Sequence, residues 1–350
     1  KKSEAKELLI TVPDGTAWAH ILQLVQAHLQ LFTNKDCSLL LGLIEDWSRG
    51  VTWDNPYPEG AESVAAIAQW LLPYFDNYRS EELRKQVLKI IAKIPNANRE
   101  LFTTLLQERD FQEIIFESFE GMPAGRDMPE LIVSAAKNYI LCSESDLRGP
   151  DVRGRKLTYV SPFGLELLFG INPNRSHGFY PASAYRGPYL SLLRYHPRQG
   201  IDFIIEIFNH SADWYAHPRV HRDIEPPFEI TLTFSDGTSR KQWCNARLWN
   251  LYRGTSVGPY ILQSLLMALE RWLLEYAEAY PRQLDAVLLD ILRRSDSAAL
   301  TAVVASVATA FPHASGETLL VLLRSPQCIQ LDRHRLVNDK LQTNFWFQLF

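Results

Sequence analysis

Residues 16–47, TAWAHILQLVQAHLQLFTNKDCSLLLGLIEDW, contain two apolar runs that each follow the 3.6-residue period of an α-helix. Asn34 and Lys35 separate the runs, so the second helix is expected to return along the first. Gly50 follows the second run, and glycine is favoured just past the C-terminus of a helix. The apolar positions that follow this period are Trp18, Ile21, Leu22, Val25, Leu29 and Phe32, on one face of the first helix, and Leu39, Leu40, Leu43, Ile44 and Trp47 on the second.

The same pattern of amphipathic runs and short loops continues to residue 145. We expect Ser80 to cap a helix over 80–94, and we expect the stretch Gly121–Gly125 to break the helical pattern. Successive pairs are about 40 residues apart, near the period of HEAT-like repeats. The sequence therefore predicts a mainly α fold, a HEAT/ARM-like helix-pair solenoid with an irregular insertion and one β-hairpin. Further helices are predicted over 62–75, 98–107, 110–119 and 128–141.

Four segments follow from the change of pattern along the chain. The β-hairpin is predicted from Phe228–Phe234, which alternates with period two, and from the turn signal Asp236-Gly237 that follows it. Its strands are short, so it is expected to dock on helices. The segments are 1–145, a helical-repeat array; 146–200, an irregular insertion rich in Arg and Tyr; 201–257, a helix plus the hairpin; and 258–350, a second helical array that is expected to continue beyond the segment.

Composition indicates an ordinary globular chain. Of 350 residues, 46% are hydrophobic and 22% are charged, and the net charge of −4 carries no general signature of nucleic-acid or membrane binding. The longest nearly uncharged apolar run, Ala298–Phe311, is shorter than the roughly 20 residues that cross a bilayer. The four cysteines form no CxxC pair, so we expect reduced core thiols in a cytoplasmic protein. The start lacks an initiator Met and a signal peptide, and the last residues are strongly apolar, so we expect part of a longer chain.

Three common catalytic motifs are missing from the sequence. It contains no GxxxxGK[ST] phosphate loop, no GxGxxG after a strand and no HExxH, so neither an enzyme activity nor a cofactor is expected for this segment. One alternative is a metal-dependent enzyme. His210, Asp213 and His217 have the spacing of one helix face, and His221 follows them after Pro218.

The insertion carries the strongest candidate for a binding surface. Between Ile171 and Ile201 there are four Arg and no carboxylate, with tyrosines interleaved. Arginine offers planar donors for carboxylate or phosphate, and tyrosine offers a face for stacking. A protein partner and nucleic acid are both compatible with this pattern. So is plain packing, in which the aromatic residues hold the insertion in place while the arginines pair with the acidic N-terminal helices. The candidate binding residues are Arg175, Tyr180, Tyr185, Arg186, Arg194 and Arg198.

Several stretches in the middle of the chain resemble the helical region of very large bacterial STAND-type NTPases of anti-phage defence. These stretches are FYPASAY at 179–185, LRYHP at 193–197, RGTSVGP at 253–259 and LERWL at 269–273. The resemblance implies that an NTPase precedes a helical-repeat array that senses a viral protein and drives assembly, so oligomerisation would come through the parent protein. The NTPase motifs themselves are not in this sequence, so the resemblance assigns no catalytic residue here.

Overall fold

The computed structural model describes residues 15–52, 56–76, 80–142, 165–173, 179–218, 225–253 and 258–347. In these ranges the chain is mainly α-helical, with one two-stranded antiparallel β-hairpin, which confirms the predicted fold class. The HEAT/ARM-like solenoid arrangement stays a prediction. Contacts divide the chain into two compact units, Lys1–Ile132 and Val133–Phe350. The predicted segments 146–200, 201–257 and 258–350 all lie in the second unit.

The first unit is built from short amphipathic helices, as the periodicity predicts. The fourth of them, Glu81–Lys93, begins with two glutamates and ends with a lysine, charges that favour the helix dipole at each end. The Asn98 side chain accepts a hydrogen bond from the Leu101 backbone N–H at 3.0 Å and so caps the next helix. The helices are α1 Gly15–Ala27, α2 Cys37–Ser48, α3 Ala61–Leu71, α4 Glu81–Lys93, α5 Arg99–Leu105, α6 Arg109–Glu117 and α7 Met122–Asp127, followed by α8 Pro129–Ile140, in which the boundary of the units falls.

Two local predictions in this unit are wrong. The stretch Gly121–Gly125 does not break the helical pattern, because α7 begins at Met122. Pro123 is in the first turn of α7, where a helix needs no backbone N–H from it, so the proline is compatible with the helix. Ser80 precedes α4 as expected, but its side chain makes no capping hydrogen bond.

The second unit contains longer helices around a densely apolar core. Trp249, Tyr215, Phe208 and Phe169 are buried in it, and the rings of Phe169 and Tyr215 stack with their centroids 4.5 Å apart. The elements are α9 Tyr189–Tyr195, α10 Pro197–Ala216, β1 Phe228–Thr233, β2 Ser239–Cys244, α11 Ala246–Asn250, α12 Tyr260–Ala279, α13 Pro281–Arg294, α14 Ala298–Ala310, α15 Gly316–Leu323 and α16 Pro326–Phe347.

The hairpin docks on helices, as its short strands require. The Trp243 backbone N–H donates to the Asp296 carbonyl at 2.8 Å, just before α14. Gln242 on β2 is only 2% exposed and accepts a hydrogen bond from the Thr301 hydroxyl of α14 at 2.5 Å. Its amide nitrogen donates to the Ser295 carbonyl at 3.1 Å, so both ends of this buried side chain are satisfied.

All four cysteines, Cys37, Cys142, Cys244 and Cys328, are free and buried, which confirms the prediction of reduced core thiols. Among the helices of the described ranges, none combines the length and the apolar character needed to cross a bilayer.

Candidate functional site

The described part of the insertion is held in place by buried aromatic side chains. Phe179 is fully buried and Tyr189, the first residue of α9, is 1% exposed. The Tyr189 ring lies parallel to the ring of Phe203 on α10, with the centroids 5.9 Å apart. Burying large rings of this kind is strongly favourable, so the loop that joins Phe179 to α9 is tied to the helices at both ends.

Three other tyrosines of the same segment point outward. Tyr180 is 66% exposed, Tyr185 is 39% exposed and Tyr195 is 45% exposed. The Tyr180 ring is not free to move over the surface, because its edge meets the ring of Tyr260 at the start of α12, with 5.1 Å between the centroids. We call Tyr180, Tyr185, Tyr195, Arg186, Arg194 and Arg198 the tyrosine–arginine surface.

Arg186 shapes the loop that carries Tyr180 and Tyr185. Its Nη2 donates to the carbonyl of Tyr180 at 2.9 Å, and its Nε donates to the carbonyl of Pro181 at 3.1 Å. The guanidinium therefore closes the loop on itself, and this use of Arg186 is structural.

Arg194 is engaged by an ion pair with Glu275 of α12. Arg194 Nε donates to Glu275 Oε2 at 2.9 Å and Nη2 donates to Oε1 at 2.6 Å, the two-point geometry in which arginine binds carboxylate most strongly. Arg271 of α12 also donates to Glu275 Oε1, at 2.6 Å. The hydrogen bond from Arg194 is the main reason that the pKa of Glu275 lies below its ordinary value, with a further contribution from Arg271.

The hydrogen bond to Glu275 is the main reason that the pKa of Arg194 and the pKa of Arg271 lie above their ordinary value, and Tyr185 makes a smaller electrostatic contribution to each. Tyr195 follows Arg194 directly in the chain. The loop carrying Tyr180 meets the start of α12 at Tyr260, and the cluster of Arg194, Glu275 and Arg271 joins α9 to the same helix.

Arg198 differs from the other two arginines of this surface. It is the second residue of α10 and is exposed. Its guanidinium makes no hydrogen bond or ion pair with any residue in the described ranges. Arg175, the remaining candidate, lies outside the described residues.

Most of this surface is predicted by the sequence, but part of it is not. Phe179 and Tyr189 do pack inward, as the packing alternative predicts. The partner of Arg194 is Glu275, however, and not one of the acidic N-terminal helices. Glu275 and Arg271 are not among the predicted residues, although their spacing of four residues on one helix is a recognisable ion-pair signal.

The alternative metal site is not formed by the residues that suggested it. His210 lies against the ring of Trp214, with the centroids 5.4 Å apart, under Gly170. Asp213 is hydrogen-bonded to His217 at 3.0 Å, and the His217 ring meets the edge of Trp243. His221 is outside the described ranges, and within those ranges no group of three or more His, Cys, Asp or Glu side chains could hold a metal ion.

Comparison with known proteins does not assign a family to this chain. No protein-family model matches the sequence, and a search of curated proteins returned no significant match.

Proposed function

We propose that this chain is a protein-binding helical scaffold and that its partner docks on the tyrosine–arginine surface. The observation that carries the proposal is the exposure of Tyr180, Tyr185 and Tyr195 on a segment that buried aromatic residues hold in place. Tyrosine and arginine are enriched among the residues that contribute most to protein–protein affinity. Ordering a tyrosine side chain costs little conformational entropy, and the segment that carries these tyrosines is already held in place in the absence of a partner.

The state of the arginines favours a protein partner over nucleic acid. Nucleic-acid affinity depends on several cationic side chains that neutralise phosphates. Arg186 donates hydrogen bonds to backbone carbonyls and Arg194 is paired with Glu275, so both guanidinium groups already have partners within the chain. Arg198 is the one arginine of the described surface whose guanidinium has no partner among the described residues. A single available cation fits a carboxylate on a protein better than a phosphate backbone.

The wider setting that we propose is the sensing arm of a cytoplasmic bacterial defence NTPase. Three of the stretches that resemble STAND-type proteins contribute to this one surface. Tyr180 and Tyr185 come from FYPASAY, Arg194 and Tyr195 come from LRYHP, and LERWL contributes Arg271, which shares Glu275 with Arg194. A viral protein would be the partner, and assembly would follow through the parent protein.

Site-specific photo-crosslinking tests the surface directly. Tyr195, which is 45% exposed, is replaced by p-benzoylphenylalanine in the full chain, and a second variant carries the same group at Tyr74, a tyrosine of the first unit that is 39% exposed. Irradiation in bacteria exposed to phage is expected to give a protein adduct from position 195 and not from position 74. A nucleic-acid adduct from position 195, with salt-sensitive binding, would replace the proposal with the alternative of a nucleic-acid-binding array.

A matched pair of charge reversals then measures the contribution of the surface. Arg198→Glu is compared with Arg282→Glu, because Arg282 is also exposed, also follows the proline that begins a helix, and also has no partner among the described residues. The crosslinked partner is expected to bind at least about tenfold more weakly to Arg198→Glu, a loss of about 1.4 kcal/mol, and unchanged to Arg282→Glu. Equal affinities for the two variants would refute the assignment.

A further inference from the structure

The first unit contains a cavity of about 250 Å³ that is independent of the proposed partner surface. Its apolar wall is formed by Val51, Pro56, Phe119, Met122 and Pro123. Phe119 is 58% exposed, so a large aromatic ring stands at the edge of this cavity instead of packing in the core. Pockets for drug-sized ligands hold roughly 300–1,000 Å³, so this cavity fits a smaller molecule.

The charged side chains of the cavity fall into two groups. Arg126 is fully engaged, because its Nε and Nη2 donate to the two carboxylate oxygens of Asp127 at 2.7 and 2.8 Å. Asp127 in turn accepts a hydrogen bond from the Tyr57 hydroxyl at 2.5 Å. The charges of Arg126 and Asp127 therefore cancel, and the three hydrogen-bonded side chains can form a fixed polar side of the cavity.

Lys93 and Glu120 are in a different situation. Lys93 is the last residue of α4, and Glu120 lies in the short 3-10 turn Phe119–Gly121. Both line the cavity and both are half-buried. Neither makes a hydrogen bond or an ion pair with any residue of the described ranges, including each other. Half-buried charges of opposite sign that have no partner among the described residues favour a ligand that supplies the opposite charge to each.

We propose that this cavity binds a free apolar α-amino acid of about the size of phenylalanine. The carboxylate of the ligand would pair with the Lys93 ammonium, its ammonium would pair with the Glu120 carboxylate, and its side chain would lie against Phe119 and Met122. The two charges of such a ligand are opposite to those of Lys93 and Glu120, and its apolar side chain suits the apolar wall of the cavity. Charge-assisted hydrogen bonds of this kind are about twice as strong as neutral ones, so both charges of the ligand should matter.

A series of ligands tests the proposal on the unmodified chain. Binding is followed by protein-observed NMR with L-phenylalanine, with L-phenylalaninamide, which keeps only the ammonium, and with 3-phenylpropionate, which keeps only the carboxylate. We expect L-phenylalanine to bind at least about fivefold more tightly than either analogue, the effect of one charge-assisted contact. Equal binding of L-phenylalaninamide would overturn the proposal in favour of a peptide N-terminus, and equal binding of 3-phenylpropionate would overturn it in favour of a simple apolar acid.

Substitutions then assign each contact. Lys93→Gln should reduce the affinity for L-phenylalanine to about that of the amide, and Glu120→Gln should reduce it to about that of 3-phenylpropionate. The matched controls are Lys89→Gln and Glu82→Gln, since both side chains are exposed on α4 and do not line the cavity. Phe119→Ala should weaken all three ligands together. Equal losses from the control and cavity variants, or no binding of L-phenylalanine at millimolar concentration, would show that the cavity is not this site.

Discussion

Arg194 and Glu275 are joined by two parallel hydrogen bonds although 81 positions separate them in the sequence. The contact links α9, the helix of the insertion, to α12. Both side chains are about a quarter exposed, at 27% and 28%, so the pair is partly shielded from water but not buried. The pair stabilises the outer face of the second unit and at the same time fixes the position of the residues next to it.

Removing this pair should destabilise the second unit. We expect Arg194→Gln to lower the free energy of unfolding by about 1–2 kcal/mol, because a two-point contact to a charged group is lost and Glu275 keeps only Arg271. Arg271→Gln is the matched control on the same carboxylate. Arg271 is 51% exposed and is paired within one helix turn, so its loss should cost only about 0.3–0.5 kcal/mol. Denaturant melts of the two variants measure the difference, and equal costs would contradict this account.

The same pair should make stability depend on pH in the acid range. The pKa of Glu275 is lower in the folded chain than the ordinary value of 4.5, chiefly because Arg194 donates to the carboxylate. A lowered folded-state pKa means that the stabilisation is complete above about pH 4.5 and is lost as the pH falls through the folded-state pKa. The difference in unfolding free energy between wild type and Glu275→Gln should therefore be constant from about pH 5 to 8 and shrink below about pH 4. A difference that grows on acidification would show that the sign is wrong.

The docking of the hairpin should depend on one buried hydroxyl. Thr301 is fully buried and donates to Gln242 Oε1, so Thr301→Val keeps the shape of the side chain but leaves the amide oxygen of Gln242 without its donor. We expect a loss of about 1–3 kcal/mol in unfolding free energy. Thr231→Val, on the exposed face of β1, is the control and should change stability by no more than about 0.5 kcal/mol. Hydrogen exchange of the β1 and β2 amides would show whether the loss is local to the hairpin.

The cysteines should be inert while the chain is folded. Burial raises the pKa of the Cys244 thiol to about 12 and also raises the pKa of the Cys328 thiol. Only the thiolate is an effective nucleophile, so a raised pKa and burial together suppress reaction. Ellman's reagent at pH 8 should label none of the four cysteines in the native chain and all four in denaturant. Fast labelling of a native thiol would contradict the burial of that residue.

Much of the helical secondary structure could be predicted because its signals are local. The helices predicted over 98–107 and 110–119 are found as Arg99–Leu105 and Arg109–Glu117. The hairpin turn Asp236-Gly237 is also found, with Gly237 in the left-handed region at φ 82°. Each of these features is specified by residues within one or two turns of chain.

The errors have a physical reason as well. A cluster such as Gly121–Gly125 contains residues that end helices, but Pro123 is equally suited to the first turn of one, and local composition does not distinguish the two outcomes. For the candidate surface, residue type predicted which arginines and tyrosines could bind a partner. It did not predict which of the arginines already have hydrogen-bond or ion-pair partners within the chain.

The sequence by itself determined that this chain is mainly α-helical, that one hairpin interrupts the helices, and that a segment rich in arginine and tyrosine joins them. Only the tertiary structure decided that Arg186 closes its own loop, that Arg194 belongs to Glu275, and that Arg198 remains exposed. It also decided that Lys93 and Glu120 share one cavity. The reason is that periodicity and turn chemistry act over a few residues, whereas a contact across 81 positions exists only when packing has brought its two helices together.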